Sequence, residues 1–278
     1  MELFCNQTGV IALQVADKCD VIFYIIVTPG DGRVKYSTKY LEGSLRQLAA
    51  MKISNKHVVI SCTVSPGFFA SFDLFKDLEN VTVSYNPEFV AIGDVINGFR
   101  NASVVLIGTE SDAAADVITS VHRRVCTKLP SVHRMSPASA EITKFAVNCF
   151  VTTKISFSNM IGDIADRSQG ANAADILKCV GSDPRVGSLC LKAGYGYGGP
   201  CFNRDNRALH THAAAVGVDA RVSIATDEYN VLHNDYQVQT ILKTQPKTYT
   251  MDQVTYKKGT SQLCFTSICL MHNATSIL

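Results

Sequence analysis

A glycine-rich segment followed by a cysteine and an acid is the part of this sequence best suited to chemistry. Residues 194–205 read Gly-Tyr-Gly-Tyr-Gly-Gly-Pro-Cys-Phe-Asn-Arg-Asp. Glycines allow positive φ angles and a close approach of the backbone to a ligand. If a helix begins near Asn203, the thiol of Cys201 lies at its N-terminal end, where the helix dipole favours a thiolate. The pattern therefore predicts a nucleophile beside a bound ligand, and the alternative is a tight turn followed by a buried cysteine.

A lysine and an amide four residues apart form the second candidate group. Ser136 and Pro137 predict a helix start, with serine as the N-cap and proline at the first helical position, and the helix is predicted to run to about Arg167. Lys144 and Asn148 then share one helix face. Such a pair can stabilise a developing oxyanion, and it could equally belong to a solvated polar stripe.

Strands and helices alternate in the first half of the chain. Apolar runs typical of buried strands occupy residues 21–27, 58–62, 81–85 and 104–107. Helical patterns lie between them, and this alternation predicts βαβ units with a parallel sheet.

Polar residues follow the first three predicted strands. Thr28, Thr63 and Glu88 each come shortly after a strand. Ligands of such sheets bind beyond the carboxyl ends of the strands. The three positions therefore suggest one crevice, and the alternative is that they are ordinary polar loop residues.

The composition limits the class of protein. The chain has 278 residues, of which 46% are hydrophobic, and a net charge of +2. This predicts two domains of about 100–150 residues and no nucleic-acid partner. Ten cysteines without C-x-x-C pairs favour reduced thiols in the cytoplasm and no metal site. The longest apolar run, residues 21–27, is too short to cross a membrane, and we expect no signal peptide.

Together these motifs resemble the UDP-glucose/GDP-mannose dehydrogenase family. The resemblance rests on six segments, in the family's order: residues 21–29, Cys62-Thr63-Val64, Asn86-Pro87-Glu88-Phe89, the Glu141, Lys144 and Asn148 helix, residues 183–205, and residues 256–260.

The family's architecture implies an α/β fold. We expect a partial Rossmann-like parallel sheet that binds NAD (residues 1–134), an α-helical central dimerisation domain (135–243) and a remnant of the C-terminal UDP-binding domain (244–278). The family's Gly-x-Gly-x-x-Gly loop, which carries the NAD pyrophosphate, is not found before Val21. We therefore expect a chain truncated at both ends relative to the family.

The resemblance also implies a reaction. Family members use NAD to oxidise UDP-glucose, or a related UDP- or GDP-sugar, to the uronic acid, which commonly feeds polysaccharide biosynthesis. The C6 alcohol becomes an aldehyde, Cys201 adds to it as a thiohemiacetal, and a second oxidation leaves a thioester that is hydrolysed. The implied catalytic residues are Thr63 and Asp205 (proton relay), Lys144 and Asn148 (oxyanion), Glu88 (general base) and Cys201.

The ligand-binding residues are implied in the same way. The cofactor set is Val27, Thr28, Pro29, Cys62, Thr63, Val64 and Arg204. The substrate set is Glu88, Phe89, Val90, Lys144, Asn148, Arg185, Lys192, Tyr195, Gly196, Tyr197, Gly198, Tyr256 and Lys257. Arg185 would reach the substrate of a partner subunit in a homodimer formed through the central helix.

Three interpretations remain open from the sequence. The chain is an active nucleotide-sugar dehydrogenase completed by another chain, or an inactive family member, or a sugar-nucleotide-binding or dimerising module without redox chemistry. The complete catalytic set favours the first, and the missing pyrophosphate loop favours the other two.

Overall fold

The computed structural model describes residues 16, 18–30, 36–90 and 93–244. Within this part of the chain there are five strands, seven α-helices and one short 3-10 helix (Phe69–Ser71). The strands are β1 (Val21–Tyr24), β2 (Lys56–Ile60), β3 (Val81–Tyr85), β4 (Val104–Gly108) and β5 (Ser131–Met135). The helices are α1 (Lys39–Ala50), α2 (Val95–Arg100), α3 (Asp112–Val125), α4 (Pro137–Asp166), α5 (Ala173–Ser182), α6 (Gly199–Ala215) and α7 (Arg221–Lys243). The predicted substrate residues Tyr256 and Lys257 lie outside the described residues.

The chain divides into two compact units, Met1–Lys144 and Phe145–Leu278. The division falls inside α4. The domain limits expected from the family, at 134/135 and 243/244, remain a prediction. Among the seven described helices, none offers the apolar length that a bilayer crossing requires.

The first unit contains a five-stranded sheet with the order β1-β2-β3-β4-β5. β1, β2 and β3 are parallel, and β4 is parallel to β5. β4 joins β3 antiparallel through the single pair Tyr85–Gly108, so the sheet is mixed rather than wholly parallel as predicted. The two strands overlap only at their carboxyl ends, where the Asn86 side chain donates to the Leu106 carbonyl at 2.9 Å. The Rossmann-like α/β class is confirmed.

Apolar side chains on both sheet faces explain the layers of this unit. Leu41 and Leu45 of α1 share one helix face and pack in a cluster with Val58 and Ile60 of β2. Val59 points to the opposite face and joins a second cluster with residues of β4 and α3. Burial on both faces accounts for the continuous apolar run of β2.

The first strand is shorter than the sequence predicts. β1 ends at Tyr24 instead of residue 27, and Ile25 and Val27 are 66% and 77% exposed. Pairing with β2 stops at this point: Tyr24 is matched with Ile60, the last residue of β2, and the Ser61 amide donates to the Tyr24 carbonyl at 2.9 Å. An apolar run alone does not reveal where the neighbouring strand stops.

The helix that follows the glycine-rich segment begins earlier than predicted. α6 starts at Gly199 with a proline in its first turn, where the missing N–H has no helical partner in any case. Cys201 therefore lies within the first turn of α6, not ahead of a helix that starts near Asn203.

Buried polar side chains join the helices of the second unit. Asn206 of α6 donates to the Thr152 hydroxyl of α4 at 2.9 Å, and Ser223 of α7 donates to the Asn206 amide oxygen at 3.1 Å. Ser156 of α4 donates to the Thr226 carbonyl of α7 at 2.9 Å. All five residues are buried, so each bond avoids a desolvation cost of about 1–3 kcal/mol.

We expect Gly108→Ala to destabilise the protein by about 1–3 kcal/mol. A Cβ at the end of β4 would lie 2.6 Å from the Ala140 Cβ and 3.0 Å from the Pro137 Cα, so the start of α4 would have to shift. Urea unfolding measures the change. Gly43→Ala is the matched control, because nothing lies within 4 Å of that position in α1. It should gain about 0.5–1 kcal/mol. Equal stability of the two variants would contradict the close approach.

Candidate functional site

The first group of predicted residues lies at the edge of the sheet. β1, β2 and β3 are mutually parallel, so their carboxyl ends share one edge. Thr28 follows β1, Thr63 follows β2 and Glu88 follows β3. Thr28 is buried, whereas Thr63 and Glu88 are half-buried. The topology therefore puts three polar residues after three neighbouring strand ends.

Glu88 is the most perturbed acid at this edge. Burial raises the pKa of its carboxyl from 4.5 to about 8, and the positive charge of Lys144 opposes that rise. The Lys144 ammonium donates to the Glu88 backbone carbonyl and lies 4.5 Å from the centre of the Phe89 ring. Lys144 is thus fixed beside Glu88, and Glu88 can exchange a proton near neutral pH.

Glu141 connects α4 to the segment that follows Thr63. Its buried carboxylate accepts hydrogen bonds from the Gly67 amide at 2.7 Å and the Phe69 amide at 2.8 Å. Bonds from two backbone amides to one buried carboxylate are strong, so they hold this segment firmly on the helix. The family helix pattern includes Glu141, but sequence reasoning assigned no role to its carboxylate.

Sequence reasoning missed His122. Its Nε2 lies 2.8 Å from the Asn86 amide oxygen, and the Asn86 amide nitrogen donates to the Leu106 carbonyl. Burial lowers the pKa of His122, so the neutral imidazole donates from Nε2. The pair orients Asn86 two residues before Glu88. No spacing in the sequence links positions 86 and 122.

The second group surrounds the glycine-rich segment, which we call the glycine loop (residues 194–198). The Gly194 amide donates to the Asn159 side chain at 2.9 Å. The Tyr197 amide donates to the Asn230 amide oxygen at 2.8 Å, and the Asn230 amide nitrogen donates to the Tyr197 carbonyl at 3.0 Å. Side-chain amides of α4 and α7 therefore replace a strand partner for this backbone.

The two tyrosines of the glycine loop differ in position. Tyr195 is 68% exposed and Tyr197 only 4%. The Tyr197 ring packs edge-on against Phe202 at 6.1 Å, and its hydroxyl donates to Asp227 at 3.3 Å. Burial, together with Asp227, raises the pKa of Tyr197. Of the two predicted substrate residues, Tyr195 is the one whose side chain is accessible.

Cys201 and Asp205 lie four residues apart on α6, and so on one helix face. Cys201 is half-buried and Asp205 is buried. The Asn148 amide of α4 donates to the Asp205 carboxylate at 2.6 Å. Burial raises the pKa of the neighbouring Cys149 thiol to about 12, so that thiol stays protonated.

The remaining predicted ligand residues fall into three classes by exposure. Cys62 and Val64 are buried, and burial raises the pKa of the Cys62 thiol to about 11, so only their backbone can meet a ligand. Arg185 and Lys192 are exposed, and Arg185 pairs with Asp183 at 2.6 Å. The half-buried members of the set are Pro29, Phe89, Val90, Gly198 and Arg204.

Two family models match the sequence. Residues 8–126 match the NAD binding domain of the UDP-glucose/GDP-mannose dehydrogenase family, and residues 138–231 match the central domain of the same family. The two matches together account for most of the chain.

Individual proteins of the same family are similar to this chain in sequence. The UDP-glucose 6-dehydrogenase of Rhizobium meliloti is 35% identical over 199 residues, which are 68% of this chain and 45% of that protein. That of Rickettsia conorii is 27% identical over 253 residues, 88% of this chain and 57% of that protein. The chain thus spans about half the length of the curated relatives it matches.

Solved structures match as well. A UDP-glucose dehydrogenase from Pyrobaculum islandicum has a TM-score of 0.74 at 27% identity, covering 85% of this chain and 56% of that one. A UDP-D-ManNAc dehydrogenase from Pyrococcus horikoshii has a TM-score of 0.76 at 20% identity, covering 95% of this chain and 65% of that one, and supports the fold alone.

We expect Glu88→Gln to change the pH dependence of stability. Between pH 4.5 and about 8 the folded chain keeps a proton on Glu88 that the unfolded chain has released. The free energy of unfolding therefore falls as pH rises through this window. Glutamine stays neutral, so the variant should be more stable than the wild type above about pH 8 and similar near pH 4.5.

Urea unfolding over this pH range is the measurement, and Glu79→Gln at an exposed position is the control. Parallel stability profiles for Glu88→Gln and the wild type would contradict the raised pKa.

We expect Gly196→Ala to displace the glycine loop. Its Cβ would lie 2.6 Å from the Asn230 amide oxygen and also collide with the Asn234 amide. Gly194→Ala is the control in the same loop, since nothing lies within 4 Å of that position. The first variant should lose about 1–3 kcal/mol in thermal unfolding and the second less than about 0.5. Equal losses would show that Gly196 is not seated against the two asparagines.

Proposed function

Because this chain belongs to the UDP-glucose/GDP-mannose dehydrogenase family, we propose that it carries out the NAD-dependent oxidation of a nucleotide sugar to its uronic acid. UDP-glucose is the proposed substrate, since the relatives named above are UDP-glucose 6-dehydrogenases. The observation that carries the proposal is the seated glycine loop followed by Cys201 in the first turn of α6. Backbone N–H groups at a helix start favour a thiolate.

The sheet edge supports the cofactor part of the proposal. Val27 is an exposed apolar side chain beyond β1, and it suits an apolar part of a nicotinamide nucleotide. Thr63 is partly accessible beyond β2, and its hydroxyl suits a polar part of the same nucleotide. Bound NAD⁺ would supply the hydride acceptor. Thr28, Pro29 and the backbone at Cys62 and Val64 complete the proposed edge, and Arg204 supplies a positive charge.

Cys201 is proposed as the nucleophile of the reaction. Its thiolate adds to the carbonyl carbon of the sugar aldehyde and forms a thiohemiacetal. The ammonium of Lys144 and the amide of Asn148 donate to the oxygen that gains negative charge. Thr63 and Asp205 hold the relay through which the sugar hydroxyl loses its proton.

Glu88 is proposed as the base that completes the reaction. Loss of a second hydride, which a second NAD⁺ would accept, converts the thiohemiacetal into a thioester on Cys201. Glu88 then removes a proton from the water that hydrolyses this thioester. A pKa of about 8 suits this role, because such a carboxylate is a stronger base than an exposed one and still ionises near neutral pH. Hydrolysis releases the uronic acid and restores the thiol.

The accessible charges of the second unit support recognition of a nucleotide sugar. Lys192 and Tyr195 are exposed on the segment that carries the glycine loop. The Lys192 ammonium suits a diphosphate, and the Tyr195 ring suits the flat face of a base or a sugar. Arg185 is exposed and carries its own counter-ion, Asp183. In the proposed homodimer it would reach the substrate of the partner subunit.

The surface of α4 supports that homodimer. Phe150, Phe157 and Ile164 follow one another at intervals of seven residues, and all three are exposed. Side chains at this spacing form one stripe along a helix, as at the seam between paired helices. We propose that a second copy of the chain covers this stripe.

Calorimetry of NAD⁺ binding, with and without UDP-glucose, tests the function. We expect about millimolar or tighter binding of both ligands, and NADH formation when they are mixed. Cys201→Ser should keep its affinity for NAD⁺ and for UDP-glucose but lose uronic acid formation. The control Cys179→Ser changes an exposed cysteine of α5 and should keep the two affinities and uronic acid formation. UDP-glucose binding without NAD⁺ binding would instead favour a sugar-nucleotide-binding module, and no binding of either would reject the proposal.

Sedimentation tests the dimer. We expect the wild type to sediment as a dimer and Phe157→Lys as a folded monomer, because a charge in the stripe would be buried without a partner. Val222→Lys replaces an exposed apolar residue of α7 and should remain dimeric. A monomeric wild type would contradict the seam.

A further inference from the structure

A lysine lies in the middle of the apolar stripe of α4 that is proposed above as the dimer seam. Phe150 and Phe157 of that stripe are exposed, and Lys154 falls between them in the sequence. Val147 and Ile161 lie seven residues before and after Lys154, so these positions alternate at spacings of three and four residues, as along a helical seam. Lys154 is the one charged side chain among these five positions.

The ammonium of Lys154 is bonded to the turn that carries Arg185, which we call the arginine turn (residues 183–187). Its Nζ donates to the Val186 carbonyl at 3.1 Å and to the Gly187 carbonyl at 3.0 Å. Hydrogen bonds from a charged donor are stronger than those between neutral groups. The two bonds therefore tie helix α4 to the two residues that follow Arg185.

The arginine turn is closed by Asp183. The Val186 and Gly187 amides both donate to the Asp183 carbonyl at 2.9 Å. The Asp183 carboxylate accepts from the Arg185 amide at 2.9 Å and from the Arg185 guanidinium at 2.6 Å. Gly187 completes the turn with a φ of 71°, a conformation that favours glycine. The turn is thus a compact unit, and Lys154 fixes that unit to α4.

We propose that Lys154 is a positioning residue for Arg185. The proposal rests on the proposed function, in which Arg185 reaches the nucleotide sugar of the partner subunit. The Arg185 side chain is 87% exposed, so its place depends on the backbone that carries it. Lys154 fixes this backbone to the helix that forms the proposed seam, and it thereby sets the position of Arg185 relative to the second copy. Lys154 acts through Arg185 and does not contact the sugar.

The substitution Lys154→Met separates this role from a role in the seam alone. A lysine at a central seam position can also set the register of two paired helices. Methionine is flexible and suits an apolar stripe, but it cannot donate to the two carbonyls. We therefore expect Lys154→Met to sediment as a dimer. Lys154→Arg keeps a charged donor, and Lys178→Met, at an exposed lysine of α5, is the control.

The first measurement needs no ligand. The Val186 and Gly187 amides are bonded within the arginine turn, so their hydrogen exchange, followed by NMR in the full chain, reports on its order. We expect protection about tenfold lower in Lys154→Met, because bonds from a charged donor are lost, and within about threefold of the wild type in Lys154→Arg. Lys178→Met should match the wild type. The wild type should also show nuclear Overhauser contacts between the Lys154 Cε protons and the Gly187 Hα.

The second measurement is UDP-glucose binding by calorimetry in a double-mutant cycle. Arg185→Met should weaken binding about tenfold, and Lys154→Met about threefold to tenfold. The double variant should bind no more weakly than Arg185→Met alone, because Lys154 acts through Arg185. Lys154→Arg should restore most of the affinity. Additive losses in the double variant would show that Lys154 acts on another group and would overturn the proposal.

Three further results would overturn the proposal: unchanged amide protection in Lys154→Met, a wild type without the Overhauser contacts, or a monomeric Lys154→Met from a dimeric wild type. The Overhauser measurement needs only the wild type, so it decides the question even if a variant does not fold. A wild type that binds no UDP-glucose would reject the proposed function, and the exchange data would then decide whether Lys154 positions the arginine turn. UDP-glucose binding of equal strength in the wild type and Lys154→Met would keep the proposed function and reject the role of Lys154.

Discussion

The second unit depends on side-chain amides that take the place of a strand partner. None of the described strands pairs with the glycine loop, yet its buried backbone groups need hydrogen bonds. Asn230 supplies both a donor and an acceptor to Tyr197, and Asn159 accepts from Gly194. Such contacts require the backbone to come close, and Gly196 allows this because it has no Cβ. The loop therefore keeps a defined shape just before Cys201.

In the first unit, too, buried polar side chains hydrogen-bond to backbone groups at the sheet edge. Glu141 accepts from two backbone amides beyond β2, and Asn86 donates to a carbonyl of β4 while His122 orients it. In each case a buried polar side chain fixes an irregular segment that follows a strand. Leaving any one of these groups unpaired would cost about 1–3 kcal/mol, so each segment is held in one conformation. Two of the residues proposed for catalysis are close to these segments in the chain: Thr63 precedes the segment that Glu141 holds, and Glu88 follows Asn86 by two residues.

Burial also sets the charge states on which the proposed chemistry depends. The carboxyl of Glu88 loses its solvent, and its pKa rises despite the nearby Lys144, so it becomes a base suited to neutral pH. The Cys149 and Cys62 thiols are buried without a compensating charge and remain protonated.

The sequence by itself determined the order of the elements, the family and the residues that could do chemistry. Apolar periodicity placed β3 at its observed bounds, and the Ser-Pro start placed the beginning of α4, because these signals are local. Three features were decided only by the tertiary structure. They are the end of β1 at Tyr24, the antiparallel pairing of β4 with β3, and the exposure of Tyr195 rather than Tyr197. The tertiary structure also brought His122 to Asn86 and His233 to Asp163. These pairs are far apart in the chain, and no local pattern encodes a contact that only packing creates.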